Sequence, residues 1–181
     1  MEEVRNTNKI SIIGGPGTGK STLAKNLGKE LNLPICHIDA IHHLKNWEIR
    51  DKKERDKIIL EKIKEQKWII DGTYKDTLNQ RIKASDLIIF LDYSTLAKLK
   101  GVLSRYFKYR GKEIPEIPGC IEKVNLYIIK CALKWNKTKR CNVVKELENN
   151  KNKKIIIFNN RKQLNKWYEK EFGKKIKKYF K

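Results

Sequence analysis

Short apolar runs alternate with amphipathic stretches along this chain. The runs are rich in Ile, Leu and Phe, and they occupy residues 10–13, 35–38, 68–70, 87–91 and 155–158. Because they do not alternate strictly between apolar and polar residues, they are typical of strands that are buried on both faces. The pattern therefore predicts an α/β fold in which a parallel sheet is flanked by helices.

Helical periodicity appears between these runs. Leu23, Leu27 and Leu31 recur at every fourth position after the first run and predict an amphipathic helix. Asp51 and Ser94 precede two later helical stretches, and both residue types cap helix N-termini through their side-chain oxygens. We therefore expect helices to begin at these two positions.

Two unusual segments follow the helix predicted after Ser94. Residues 111–119 contain two prolines and three charged residues, so we predict a loop there, after a helix that ends near Arg110. Residues 121–135 are apolar on nearly every face of a predicted helix. Such a helix is expected to be buried or to contact a partner.

The length and composition favour one folded domain. The chain has 181 residues, of which 39% are hydrophobic, so we predict that residues 1–181 form a single domain with a packed core. No run approaches the roughly 18 apolar residues of a membrane span. The N-terminus lacks the apolar segment of a signal peptide, and the four cysteines form no Cys-x-x-Cys pair. We therefore expect a cytoplasmic protein with reduced thiols and no membrane contact.

The chain is strongly basic. Its 42 Lys and Arg residues outnumber 21 Asp and Glu residues, which gives a formal net charge of +21. Such an excess attracts nucleotides, and it permits non-specific nucleic-acid binding. The basic residues are mostly Lys and are spread along the chain, whereas nucleic-acid recognition favours clustered Arg. The Lys-rich residues 174–181 are expected to form a solvated tail.

A glycine-rich motif follows the first apolar run directly. It matches the pattern G-x-x-x-x-G-K-[ST] and is followed by the first predicted helix, the arrangement of a phosphate-binding P-loop. Its residues, which we predict to bind ATP, are Gly14, Gly15, Pro16, Gly17, Thr18, Gly19, Lys20, Ser21 and Thr22. Glycines let backbone N–H groups converge on phosphate oxygens, and the helix N-terminus adds positive potential.

Two side chains of the motif are expected to contact the phosphates or the metal ion directly. The Lys20 ammonium is expected to contact the β- and γ-phosphates, and the Ser21 hydroxyl to ligate Mg²⁺. A second magnesium-binding carboxylate is expected at the end of a strand. Asp71 and Asp92 both end apolar runs, and we favour Asp71 because Gly72 leaves space beside it.

Asp39 and a few arginines are the other candidate site residues. Asp39 closes the second predicted strand, where it is placed to bind the acceptor substrate or orient its hydroxyl group. Because Arg is scarce, Arg105, Arg110 and Arg140 are candidates for catalytic contacts to phosphate through a mobile flap. Surface ion pairing is the alternative for each of them. The histidines lack zinc-site spacing, and we expect structural roles for them.

The same residues resemble a known family. Similarity to the adenylate kinase-like branch of P-loop kinases, and within it to bacterial topology modulation proteins, extends over several blocks. They are residues 14–31, 34–43 with Trp47, 68–74, Arg81 with 84–94, 105–111, and 134–136 with Arg140.

The resemblance implies a three-layer α/β/α sandwich with strand order 2-3-1-4-5 and a helical lid at about residues 105–140. It also implies phosphoryl transfer from ATP to a small acceptor. Apart from the resemblance, we expect Arg81 as well as Asp39 near the acceptor, because a planar guanidinium group can bind phosphate. Thr73 and Tyr74 stand where adenylate kinases have Phe-Pro-Arg, so AMP is not the expected acceptor.

Three functions therefore remain open. The first is an ATP-dependent and magnesium-dependent kinase that acts on a small acceptor such as a nucleoside or nucleotide. The second is an ATP-gated nucleic-acid-binding protein that affects DNA topology. The third is a self-associating scaffold that uses residues 121–135, so the chain is expected to be a monomer or a homodimer.

Overall fold

The computed structural model describes residues 2–177 as seven strands and eight α-helices. The strands are β1 (Lys9–Gly14), β2 (Ile35–His37), β3 (Trp68–Asp71), β4 (Leu87–Leu91), β5 (Glu113–Ile114), β6 (Ile117–Ile121) and β7 (Lys154–Phe158). The helices are α1 (Glu2–Arg5), α2 (Lys20–Leu31), α3 (Ile38–His42), α4 (Lys52–Lys64), α5 (Leu78–Ala84), α6 (Thr95–Tyr109), α7 (Leu126–Glu148) and α8 (Arg161–Phe172). Residues 178–181 of the predicted tail lie outside the described residues.

The central sheet has five parallel strands in the order β2-β3-β1-β4-β7. All five predicted strands are confirmed, each to within one residue at either end. Since β7 is the fifth strand of this sheet along the chain, the predicted order 2-3-1-4-5 is also confirmed. None of the helices within residues 2–177 combines the length and the apolar composition needed to cross a membrane.

Helices cover both faces of the sheet because successive strand residues point in opposite directions. Ile10 and Ile12 pack in one cluster with α2 and α8, whereas Ile13 packs on the other face with α5 and α7. Trp68 and Ile70 pack with residues of α3 and α4 on that second face. A fully buried Ile contributes about 1.5–3 kcal/mol relative to an exposed one. Burial on both faces therefore explains the continuous apolar runs.

The helix starts predicted from capping residues are confirmed. The Asp51 carboxylate accepts hydrogen bonds from the N–H groups of Lys53 and Glu54 at the start of α4. The Ser94 hydroxyl accepts one from the N–H of Ala97 at the start of α6. These bonds satisfy amide groups that have no partner within the helix.

The prediction that residues 111–119 form only a loop is wrong. The segment contains β5 and the start of β6, which pair as an antiparallel hairpin inside the predicted lid. Ile114, Ile117 and Cys120 of the hairpin are buried together against Trp47, and the indole N–H of Trp47 donates a hydrogen bond to the Ile121 carbonyl at 2.8 Å. Contact with a distant segment therefore stabilises the hairpin.

The apolar segment 121–135 also differs from its prediction. The helix begins at Leu126, where the Asn125 side chain caps it, and continues to Glu148. Ala132 and Trp135 are buried, but Leu126 and Tyr127 are 67% and 70% exposed. The segment is therefore not buried at its N-terminal end, and a partner for this surface stays a prediction.

Helix α6 crosses directly over the glycine-rich loop. A Cβ atom at Gly101 would lie 1.9 Å from the Gly17 carbonyl oxygen, and one at Gly17 would lie 2.2 Å from the Lys98 carbonyl oxygen. Both distances are far below van der Waals contact. The two backbones can approach this closely only because both residues are glycine.

Arg81 positions the chain after β3. Its side chain is 0% exposed, and its guanidinium donates hydrogen bonds to the carbonyl oxygens of Gly72 and Tyr74 at 3.0 and 3.1 Å. Burial lowers the Arg81 pKa to about 10. The guanidinium has no solvent-facing surface, so the direct substrate contact predicted for Arg81 does not fit this geometry.

We predict that Gly101→Ala lowers both stability and ATP affinity. The added methyl group must push α6 away from Gly17, and overpacking of this kind costs about 1–3 kcal/mol. Urea unfolding measures the stability, and calorimetry measures ATP binding. Ser104→Ala, an exposed change in the same helix, is the matched control. Equal stability of the two variants would show that the glycine contact is not required.

Arg81→Met is expected to destabilise the fold. It leaves the buried Gly72 carbonyl and the partly buried Tyr74 carbonyl without their donor, and an unsatisfied buried acceptor costs about 1–3 kcal/mol. The control Lys83→Met changes an exposed residue of the same helix and is expected to have little effect on urea unfolding. If Arg81→Met retains full stability and loses only acceptor binding, the guanidinium contacts substrate after all.

Candidate active site

The glycine-rich loop connects β1 to α2 at the carboxyl edge of the sheet. Gly17 and Gly19 adopt left-handed backbone angles, with φ of 75° and 89°, which side chains with a Cβ atom rarely tolerate. Gly19 occupies the N-cap position of α2 and supplies no side-chain hydrogen bond to the helix. The first amide groups of α2 are therefore not capped by a side chain, as an anion-binding helix N-terminus requires.

Lys20 and Thr18 stabilise this loop from within. The Lys20 ammonium donates a hydrogen bond to the Gly15 carbonyl at 3.0 Å, and the Thr18 hydroxyl donates one to the same oxygen at 2.9 Å. Burial lowers the pKa of Lys20, while the negative charges of Asp39 and Asp71 oppose that shift. The ammonium thus lies within electrostatic reach of both predicted carboxylates.

Asp71 lies beside Ser21, as the sequence predicts for a metal site. The Ser21 hydroxyl donates a hydrogen bond to one Asp71 oxygen at 2.8 Å, and His37 Nδ1 lies 2.6 Å from the other oxygen. Burial lowers the pKa of His37, but the hydrogen bond and charge of Asp71 outweigh it, so the pKa is raised overall. We expected a structural role for His37 and did not predict its contact with Asp71. The two residues end neighbouring strands, and that position could have indicated the contact.

The Ser21 and Asp71 oxygens are of the kind that Mg²⁺ prefers. Within residues 2–177, no three His, Cys, Asp or Glu side chains group together as a metal site.

Asp39 lies within electrostatic reach of Lys20, in the short helix α3 that follows β2. It accepts a hydrogen bond from the Tyr74 hydroxyl at 2.9 Å. Burial, together with the charge and hydrogen bond of Asp39, raises the pKa of Tyr74, so Tyr74 remains a neutral donor. Asp39 is thus held close to the predicted phosphate site, as an acceptor-binding role requires.

The three lid arginines occupy different surroundings. Arg105 lies near the loop, since its charge contributes to lowering the Lys20 pKa, and its Nε is 2.8 Å from a Glu122 carboxylate oxygen. Arg140 forms a two-point salt bridge with Asp92 at 2.7 to 3.0 Å. Arg110 is exposed at the end of α6, with its guanidinium 5.9 Å from the Tyr106 ring centre. Of these three arginines, Arg105 is the one whose charge influences Lys20.

Several residues around the loop were not identified from the sequence. The Thr73 hydroxyl exchanges two 3.0 Å hydrogen bonds with the backbone of Gly14. Its position directly after Asp71 and Gly72 could have suggested this. Lys98 and Trp135 pack against Gly15, but both are far away along the chain and no local pattern marks them.

Arg161 also approaches the loop. A Cβ atom at Gly19 would lie 3.0 Å from the Arg161 guanidinium, and Arg161 is the first residue of α8. Because Arg161 lies far from Gly19 along the chain, only the fold brings it to the loop. It adds a cation to the edge of the sheet that carries Lys20.

Comparisons with known proteins agree with this architecture. The sequence profile of the ATPase family associated with various cellular activities (AAA) matches residues 10–92, which include the glycine-rich loop, Asp39 and Asp71. No curated protein sequence matched the chain significantly.

Two similar solved structures are shikimate kinases. The enzyme from Bacteroides thetaiotaomicron has a TM-score of 0.52 and 15% identity, over 93% of this chain and 99% of that chain. The enzyme from Aquifex aeolicus vf5 has a TM-score of 0.45 and 18% identity, over 75% and 98%. The Bacteroides comparison, the sheet order and the loop together show that this chain has a P-loop NTPase fold of the kinase-like type.

Proposed function

We propose that this protein is a magnesium-dependent kinase that transfers the γ-phosphoryl group of ATP to a hydroxyl group of a small acceptor. The observation that carries the proposal is the arrangement around Lys20. One carboxylate, Asp71, is hydrogen-bonded to Ser21 at the donor side, and another, Asp39, lies on the acceptor side. The kinase-like fold supports this proposal, because both carboxylates lie at the sheet edge where such folds bind ligands.

The donor side is built to hold polyphosphate. The amide groups at the start of α2 and the Lys20 ammonium offer hydrogen bonds to the phosphate oxygens. When phosphate is present, Lys20 exchanges its bond to the Gly15 carbonyl for a bond to the ligand. Ser21 and Asp71 would hold Mg²⁺, which neutralises phosphate charge when it is bound.

The acceptor side supplies orientation and a proton acceptor. The Asp39 carboxylate accepts a hydrogen bond from the acceptor hydroxyl, whose oxygen attacks the γ-phosphorus. A bond forms between these two atoms, and the bond from the γ-phosphorus to the bridging oxygen breaks, which releases ADP. The hydroxyl proton passes to Asp39, and the Tyr74 hydroxyl holds that carboxylate in place.

Arg105 is the lid arginine best placed to assist the transfer. Its partner Glu122 is 4% exposed, and burial raises the pKa of Glu122 although Arg105 opposes the shift. We propose that Arg105 extends toward the γ-phosphate when ATP binds. Catalytic roles for Arg110 and Arg140 remain predictions. Membership of the topology modulation protein group and a cytoplasmic location also remain proposals.

Lys20→Ala is expected to remove activity without unfolding the protein. The substitution deletes a cation at the developing charge, a change that typically costs about 100-fold or more in turnover. ADP release measures the activity, and circular dichroism checks the fold. Lys29→Ala, an exposed change in the same helix, is the control. Normal ADP release by the Lys20 variant would exclude the proposed mechanism.

Asp39→Asn is expected to separate transfer from ATP binding. Loss of the proton acceptor lowers acceptor-dependent ADP release by about 100-fold or more, whereas ATP affinity is retained because the donor side is intact. The acceptor for this assay comes from a screen of small hydroxyl compounds. Glu48→Gln, an exposed carboxylate change nearby, is the control. If Asp39→Asn transfers phosphate at the normal rate, Asp39 does not act on the acceptor.

A further inference from the structure

A row of four aromatic and imidazole rings leads away from Asp39. Trp47, His43, His42 and Tyr74 follow one another with ring centres 5.2, 4.6 and 5.0 Å apart. We name these four residues the ring row. All four are partly exposed, and Tyr74 joins the row to Asp39 through its hydroxyl group. The row thus offers partly exposed ring surface near the proposed proton acceptor, and the Arg55 guanidinium lies 4.9 Å from the centre of the Tyr74 ring.

The ring row carries no charge at neutral pH. Burial lowers the pKa of His42, and the neighbouring His43 and Arg55 side chains lower it further. Burial also lowers the pKa of His43, although Asp39 opposes the shift. Both imidazoles are therefore neutral, as is the Tyr74 phenol. Asp39 contributes a negative charge at one end of the row.

Arginines around the ring row are already engaged. Arg50 donates to the Ile41 carbonyl and pairs with Glu54. Arg55 pairs with Asp56 and Asp76, at 2.6 and 3.0 Å.

Arg105 and Arg81 already have partners as well. Arg105 pairs with Glu122, and Arg81 bonds to backbone carbonyls. To contact an arginine here, an acceptor that carries its own phosphate or carboxylate group would have to break an interaction of Arg50, Arg55 or Arg81, or compete with ATP for Arg105. It would also place its anion near Asp39, where like charges repel.

We propose that the acceptor is an uncharged compound with a flat ring and a hydroxyl group, of the nucleoside class. This inference rests on the kinase function proposed above. The base packs on the ring row, since aromatic faces bind flat rings, and a sugar hydroxyl reaches Asp39. The hydroxyl oxygen takes the γ-phosphoryl group, the proton passes to Asp39, and the products are a nucleoside monophosphate and ADP.

The test uses the full chain and matched pairs of acceptors. Adenosine, guanosine, cytidine, uridine and thymidine are each compared with their 5′-monophosphates, with shikimate as a non-aromatic hydroxy acid. Product formation is followed by chromatography, acceptor binding by saturation-transfer NMR, and ATP–Mg²⁺ binding by calorimetry. We expect at least one nucleoside to be phosphorylated, with kcat/KM about tenfold or more above that of its monophosphate, a ratio equivalent to about 1.4 kcal/mol.

A charge insertion tests the role of the ring row. His43→Lys places a cation in the row and is expected to reduce the preference for nucleoside over monophosphate by about tenfold. Leu96→Lys adds the same charge at an exposed position at the start of α6, and it is expected to leave the preference unchanged. If His43→Lys does not fold, the preference of the unmodified protein for nucleosides over their monophosphates still tests the proposed acceptor class.

The outcomes separate the acceptor class from the kinase function. If ATP–Mg²⁺ binds and monophosphates or shikimate are phosphorylated as well as nucleosides, the kinase function stands and the acceptor class is overturned. The class is equally overturned if ATP–Mg²⁺ binds but no nucleoside binds or reacts. If calorimetry detects no ATP–Mg²⁺ binding, the kinase function fails, and the acceptor class fails with it.

Discussion

The register of the parallel sheet is the constraint on which the site depends. Strand β1 lies between β3 and β4, with Ile12 opposite Asp71 and Gly14 opposite Leu91. Strand β2 adds His37 opposite Asp71. Parallel strands end at a common edge, so this pairing brings the glycine-rich loop, the Asp71 carboxylate and the His37 ring together. A shift by one residue would turn Asp71 to the other face of the sheet and separate it from Ser21.

Local patterns were sufficient to predict the sheet, the helix starts and the loop. Their determinants are close together along the chain: continuous apolar runs, capping oxygens at Asp51 and Ser94, and glycines directly before Lys20. The loop, Asp71 and Asp39 were predicted because each follows a recognisable strand. These features account for the strands and for the residues around Lys20, whereas the strand order was expected from the family resemblance.

The remaining features depend on contacts between distant segments. The hairpin forms because its apolar residues pack against Trp47, more than 60 positions earlier, and nothing in residues 111–119 reveals that contact. Arg81 was expected at the substrate because guanidinium groups bind anions, but its burial against the Gly72 and Tyr74 carbonyls becomes evident only in the folded chain. The approach of Gly101 to Gly17 likewise has no signal in either local sequence.

The hairpin links the proposed donor and acceptor sides of the site. Glu116 at its turn pairs with Lys25 of α2, Glu122 at its base pairs with Arg105, and Trp47 donates to its last strand residue, Ile121. These contacts join the hairpin to the helix behind the loop, to the arginine beside Lys20 and to the ring row.

The proposed donor and acceptor sides differ in charge, although the whole chain is strongly basic. Lys20, Arg105 and the start of α2 give the donor side a positive potential suited to ATP, whereas the acceptor side combines Asp39 with neutral rings. The net charge of +21 favours the approach of anions in general. Exposed charges more than about 10 Å apart are largely screened at 0.1 M salt, so groups close to the bound compound matter most for its binding. The local arrangement around Asp39 is the basis on which we propose an uncharged acceptor.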